Sequence, residues 1–148
     1  MLVVEKEKQL HELSSMRIGG KTRFFAVATS TEEVEEAVQE AHNLGADLFI
    51  VGSGSNIIWN DEYELPYFVL KPEIRGFQKK SENETSATIE IGSGENWDQI
   101  VARVVAMDLS GVEAMSAIPG TVGATPVQNV GAYGQEIKDT LVSVDVFD

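Results

Sequence analysis

The sequence contains no cysteine, which excludes disulfides, thiolate chemistry and cysteine-ligated metals and fits a reducing, cytoplasmic setting. It contains no apolar run of about 18 residues, so no transmembrane helix is expected. Glu5 and Lys6 come too early for the apolar core of a signal peptide. Basic residues are scarce, with 11 Lys and Arg against 24 Asp and Glu and a formal net charge of -13. Nucleic acid and anionic membrane surfaces need clustered positive charge, so neither is expected as a partner. A phosphate-bearing ligand is not excluded, because backbone N–H groups and helix N-termini hold phosphate without altering net charge. His11 and His42 are isolated, and no spacing of His, Asp and Glu suggests a metal site. Ser14 and Ser15 have no evident base beside them, and no residue of the chain is assigned a catalytic role.

What is present reads as an α+β protein. Lys21–Ala28, rich in aromatic and β-branched residues, is expected to be a strand. Ser30 and Glu33 form a capping-box pattern ahead of a helix whose apolar face is Val34, Ala37, Val38 and Ala41. Gly45 ends that helix as a left-handed residue. Residues 48–51 then read as a buried strand, completing a βαβ unit with parallel strands. Residues 57–59 and 67–70 are further strand candidates, separated by a polar turn over 60–66. Residues 79–86 look like a charged hairpin loop and 88–92 like a strand. Asn96 opens a second helix with an apolar stripe of Trp97, Ile100, Val101, Val104 and Val105, where Trp97 serves as a core anchor. Val142, Val144 and Val146 alternate with Ser143, Asp145 and Phe147 as in a strand. The change from βαβ to β-rich pattern suggests two lobes, 1–68 and 69–148.

Three segments could carry chemistry. Gly52, Ser53, Gly54, Ser55 and Asn56 follow a strand directly, where α/β folds place phosphates. Their N–H groups and hydroxyls could form an anion nest, or the segment is an ordinary tight turn. Residues 114–135 carry no charge at all, yet hold four glycines and two prolines. Within them Pro119, Gly120, Thr121, Val122 and Gly123 lead through Gln128 and Asn129 to Gly131, Ala132, Tyr133 and Gly134. A backbone so poor in side chains can lie against a planar ligand, and the two amides offer donors and acceptors to a heterocycle edge. The same composition also suits a strained structural loop. Arg17, Lys21 and Arg23 make a rare basic cluster that meets phosphate or merely ends a strand in solvent.

The long glycine segment resembles the signature of UDP-N-acetylenolpyruvoylglucosamine reductases, also called UDP-N-acetylmuramate dehydrogenases. Ile118-Pro119-Gly120, Val122-Gly123, Pro126, Gln128-Asn129 and Gly131-Ala132-Tyr133-Gly134 all fit it. Arg17-Ile18-Gly19-Gly20 resembles the family's early Gly-Gly turn, and Gly52-Ser53-Gly54-Ser55-Asn56 its Gly-x-Gly-Ser-Asn loop. Leu109-Ser110-Gly111-Val112-Glu113 resembles the lead into the main signature.

The resemblance implies an FAD-binding fold of the vanillyl-alcohol-oxidase type, with two α/β lobes of which the second is incomplete here. It implies that residues 52–56 embrace the FAD pyrophosphate and that residues 119–134 lie along flavin and pyrophosphate. It further implies an oxidoreductase that uses NADPH to reduce FAD and then reduces a UDP-sugar enolpyruvate to UDP-N-acetylmuramate. That flavoprotein chemistry belongs to peptidoglycan synthesis and so to cell-wall biogenesis, cell shape and cell division. The family's catalytic Arg, Ser and Glu fall beyond Asp148, as does its substrate-binding domain, so the chain alone is expected to be inactive. Two alternatives stand beside this reading: a non-catalytic flavin-binding module, and another FAD-dependent oxidoreductase of the same fold. Gly120→Val and Gly131→Val are both expected to weaken FAD binding without much change in secondary structure.

Overall fold

The computed structural model describes residues 1–61 and 64–147. The chain gathers into two compact units, Met1–Ile74 and Arg75–Asp148, and the elements are α+β as expected.

The first unit is built on a four-stranded sheet of β1 (Val4–Gln9), β2 (Lys21–Ala28), β3 (Leu48–Ile50) and β4 (Glu64–Pro72), in the order β1-β2-β4-β3. β1 runs antiparallel to β2, whereas β2 and β3 both run parallel to β4. The βαβ reading holds for direction, but β4 lies between the two strands that the helix connects. Period-two alternation makes β2 and β4 serve two cores at once. Phe24, Ala26, Ala28, Phe68 and Leu70 pack with Ala37 and Ala41 on one face. Phe25 and Val69 pack with Leu10, Val51 and Trp59 on the other. The successive residues Phe24 and Phe25 therefore belong to different cores.

The helix α1 (Thr31–Asn43) starts where the sequence signals it. The Ser30 hydroxyl accepts from the Glu33 N–H at 3.3 Å. The Glu33 carboxylate reaches one residue further back than a capping box requires, accepting from the N–H of Thr29 at 2.9 Å. At the other end Gly45 adopts φ +62°. The Gly45 N–H donates to the His42 carbonyl and the Ala46 N–H to that of Ala41, a Schellman closure. Alanine at 37 and 41 lets the helix sit close on the sheet; Val34 and Val38 are half-buried.

Two strand expectations in this unit are corrected. Residues 48–51 are not a buried strand: β3 is one of the sheet's two outer rows, with Leu48 37% and Ile50 52% exposed, and only Val51 behind it fully buried. Residues 57–59 are not a strand, although their alternation is real. Ile57 and Trp59 pack against the second core while Ile58 is exposed. The segment covers a sheet face and, among the described residues, pairs with no strand. Of the turn expected over 60–66, Glu62 and Tyr63 lie outside the described residues, and Glu64, Leu65 and Pro66 already belong to β4. Residue 68 lies inside β4, and the division into units falls after it, at Ile74.

The second unit opens with a hairpin of β5 (Phe77–Glu82) and β6 (Ala87–Ile91). The expected loop is shorter than read, because the charged residues of β5 sit in the ladder, with Lys79 opposite Ile89 and Ser81 opposite Thr88. Asn83 makes the turn by accepting from the N–H groups of Thr85 and Ser86, each at 2.8 Å. The helix α2 (Trp97–Val105) is capped by the Asn96 side chain, which accepts from the Gln99 N–H at 3.0 Å. Trp97, Ile100, Val101 and Val104 are buried, and Val105 falls just outside the stripe. Trp97 and Val101 form a core with Met115 and Ile137, flanked by Val112, Ile118, Val122 and Val130. The two-residue strands β7 (Gly131–Ala132) and β8 (Gln135–Glu136) pair antiparallel. Residues 142–147 alternate as a strand should, but among the described residues they pair with nothing, and Val142, Val144 and Val146 are exposed. Alternation specifies a face; a strand also needs an edge to join.

Candidate functional site

The loop 52–56 leaves the sheet directly after Val51 and crosses the segment 13–15. Gly54 holds φ +68°, and a Cβ built on it would lie 1.7 Å from the Leu13 carbonyl oxygen. The Gly54 carbonyl accepts from the Ser15 N–H at 3.2 Å and from its hydroxyl at 3.4 Å. Glycine is demanded here by the chain's own crossing. The Ser53 hydroxyl donates to that of Ser55 at 3.1 Å, on the exposed side. Among the described residues no protein oxygen accepts the N–H of Ser53 or Gly54. Beside this loop lies an open pocket of about 480 Å³, lined by His11, Glu12 and Leu13, then Ser14, Ser15 and Arg17, with Ser53 from the glycine loop.

The basic cluster of 17–23 is divided by the fold. Arg17 lines the pocket. Lys21 pairs with Glu7 at 3.6 Å, and the Arg23 guanidinium lies 5.1 Å from the centre of the Phe24 ring. The Gly19–Gly20 turn is structural. The Gly19 N–H donates to Asp61 Oδ1 at 2.5 Å, the Gly20 N–H donates to the Asn60 carbonyl at 3.0 Å, and a Cβ at Gly19 would meet Trp59 at 2.7 Å.

In the second unit the uncharged segment 114–135 is tied at both ends. Gln135 donates from Nε2 to Glu113 Oε1 at 2.9 Å and accepts from the Ala114 N–H at 2.8 Å. Inside that closure Trp97 Nε1, itself buried, donates to the Met115 carbonyl at 3.0 Å. Further along, Thr121 forms an antiparallel bridge with Asn96, flanked by bonds from the Trp97 N–H to the Gly120 carbonyl and from the Val122 N–H to the Glu95 carbonyl. Ala117, Asn129 and Tyr133 all hold left-handed φ of +50° to +62°. A non-glycine residue there costs on the order of 1–2 kcal/mol. Tyr133 is 97% exposed.

The four glycines of this segment divide into two kinds. A Cβ at Gly123 would meet Ser93 at 2.7 Å, and one at Gly131 would meet the Gln135 carbonyl oxygen at 2.7 Å. These two are needed for packing of the chain on itself, so Gly131→Val would disturb the β7–β8 hairpin and is no test of ligand approach. Gly120 at φ +151° and Gly134 at +87° face open space, with nothing within 4 Å of an added Cβ. Bare backbone there presents itself outward. Asn129 has a structural task too, its Oδ1 accepting from the Lys138 N–H at 3.2 Å. Asp98 carries no signal in the sequence, yet it supports the strained Ala117: its Oδ1 accepts from the Ala117 N–H at 2.6 Å and from the Ser116 hydroxyl at 2.8 Å. The 13–15 segment supports Gly54 in the same unannounced way, because nothing local in the sequence shows which distant segment a glycine faces.

Those two bonds to Asp98, the one from Ala117 first, hold its carboxyl below the value of a free aspartate. A depressed pKa in the folded state means that its contribution is full above the unfolded value and is lost as pH falls through the folded one. The Ala117 amide proton is therefore expected to keep its hydrogen-bonded chemical shift through neutral pH. It should lose that shift on acidification, with a midpoint below that of free aspartate. An NMR titration with a midpoint at or above the free value would contradict this.

Residues 22–148 match the model of a protein family described as FAD binding domain. The chain belongs to that family. A UDP-N-acetylenolpyruvoylglucosamine reductase of Salinispora arenicola is 37% identical over 144 residues, covering 97% of this chain and 39% of that protein. The reductase of the same name from Saccharopolyspora erythraea is 41% identical over 135 residues, covering 91% of this chain and 37% of that protein. The chain thus spans about two fifths of the length of the curated relatives it matches. The crystal structure of UDP-N-acetylenolpyruvylglucosamine reductase from Thermus caldophilus superposes with a TM-score of 0.73 at 23% identity, over 94% of this chain and 47% of that one. That likeness establishes the FAD-binding α+β fold, and the relatives bear out the resemblance read from the motifs. Among the described residues no group of three His, Cys, Asp or Glu could hold a metal ion, and no helix is long and apolar enough to cross a membrane.

Proposed function

We propose that this chain binds FAD and forms the cofactor-holding part of an NADPH-dependent oxidoreductase that reduces the enolpyruvyl ether of UDP-N-acetylglucosamine to UDP-N-acetylmuramate. On this reading the protein works in the cytoplasm, in peptidoglycan synthesis, and so bears on cell shape and division. FAD, when bound, supplies the hydride chemistry, taking a hydride from NADPH and passing it to the double bond. The chain's own residues bind and orient. Gly52, Ser53, Gly54, Ser55 and Asn56 offer peptide N–H groups and hydroxyls suited to a diphosphate. Pro119, Gly120, Thr121, Val122 and Gly123 offer a surface low enough for a flat ring system, as do Gln128, Asn129, Gly131, Ala132, Tyr133 and Gly134. No residue here is assigned the transfer of a proton to substrate.

The observation that carries the reading is the outward-facing backbone of Gly120 and Gly134, within a segment locked by Trp97, Asp98 and Glu113. Fluorescence titration of the chain with FAD is expected to saturate, without NADPH-driven reduction of the UDP-sugar by this chain alone. Gly120→Val is expected to weaken FAD by about tenfold or more. It should leave the far-UV spectrum intact, with a stability loss of about 1–3 kcal/mol from the positive φ. Unchanged affinity in this variant, or no flavin binding by the parent chain, would defeat the proposal.

A further inference from the structure

The pocket beside the glycine loop brings in a side chain, Arg17, to which the motif resemblance assigns no role. Of the four arginines, Arg75 pairs with Glu95, and Arg23 and Arg103 lie over the Phe24 and Phe77 rings. Arg17 has neither kind of partner among the described residues, although the chain is rich in carboxylates. It is held at φ +55°, with its N–H donating to the Ser14 carbonyl at 3.0 Å. Ser14 is buried, its hydroxyl accepting from the Met16 N–H at 3.3 Å, and Ser15 is bonded to the Gly54 carbonyl. The arm that carries Arg17 is therefore tied to the loop that carries Ser53. The other charged group of the pocket wall, Glu12, is already engaged by Lys8 Nζ at 2.9 Å, and His11 is the remaining titratable one.

We infer that this pocket is an oxyanion subsite for a diphosphate group, with the Arg17 guanidinium as its cation and the Ser53 N–H, which no protein oxygen accepts among the described residues, as a neutral donor. The inference rests on the FAD reading and extends it from backbone amides to a specific side chain outside the glycine loop. A planar guanidinium matches two phosphate oxygens at once, so lysine replaces it only in part. Lys21 and Arg23, engaged elsewhere, take no share.

The test is calorimetric and fluorimetric titration of the full chain with inorganic pyrophosphate, FAD and riboflavin, for the parent and the Arg17→Gln, Arg17→Lys and Lys21→Gln variants. Arg17→Gln is expected to weaken pyrophosphate and FAD by about tenfold or more, with Arg17→Lys intermediate. Riboflavin, which has no phosphate, should be unaffected, and Lys21→Gln should match the parent. FAD binding unchanged in Arg17→Gln would overturn the subsite and leave the FAD reading standing. An equal loss for riboflavin would also overturn it, as a distortion of the loop. Pyrophosphate binding that needs Arg17, in a chain that takes no FAD, would keep the subsite and remove the FAD reading. No binding of either ligand by the parent chain would overturn both.

Discussion

Gly54→Ala is expected to lower the stability of the first unit by about 3–6 kcal/mol and to abolish the diphosphate binding proposed for the 52–56 loop. The added carbon would fall 1.7 Å from a backbone carbonyl oxygen, that of Leu13, which cannot swing aside as a side chain could. Relief requires the two crossing segments to part, and with them go the bonds from Ser15 to the Gly54 carbonyl. Three costs combine: about 1–2 kcal/mol for an L-residue at left-handed φ, about 1–3 for overpacking, and about 1 for the lost hydrogen bond. Urea unfolding should show the midpoint falling with little change in slope. Gly45→Ala is the matched control. It also sits at left-handed φ, +62°, but its Cβ would meet nothing within 4 Å, so it should show the first cost alone. Similar midpoints for the two variants would show that the crossing at Leu13 is not tight.

Trp97→Ala is expected to cost about 3–5 kcal/mol, the usual range for emptying a large aromatic site. Trp97 is 3% exposed in a core that has only a few other buried side chains, and it is the donor to the Met115 carbonyl. Its removal both opens a cavity and leaves that carbonyl unpaired at the start of the uncharged loop. Trp97→Phe separates the two effects. It retains most of the volume and loses the hydrogen bond, for an expected cost of about 1–3 kcal/mol. Denaturation followed by circular dichroism should rank parent, Phe and Ala in that order. A Phe variant as stable as the parent would show that the indole N–H contributes nothing to holding the loop.

The sequence announced those parts of the fold that depend on short-range chemistry. Ser30, Gly45 and Asn96 mark helix ends because a cap is satisfied within a few residues, and the burial of Trp97, Ile100, Val101 and Val104 follows from helical period. It could not tell an edge strand from a central one at 48–51, since the insertion of β4 between β2 and β3 is a matter of distant pairing. Alternation at 57–59 identified inward and outward residues without supplying a ladder partner, and at 142–147 it supplied neither, since all six residues are exposed. Glycine content drew attention to 52–56 and 119–134, but composition does not distinguish a glycine that clears its own chain from one that clears a ligand. Only their surroundings show that Gly54, Gly123 and Gly131 clear their own chain whereas Gly120 and Gly134 face open space. The left-handed backbones of Ala117 and Tyr133 were equally invisible, because neither residue type favours that region.

The shortness of β3 has a consequence for association. A sheet whose outermost row carried a long stretch of unpaired peptide groups would recruit further strands from other copies. Here that row is only three residues, Leu48–Ile50, so an incoming chain finds few peptide groups to zip onto. Apolar side chains at 48 and 50 can attract such a chain, but they cannot align it, and fibrous growth from this rim starts from a poor template.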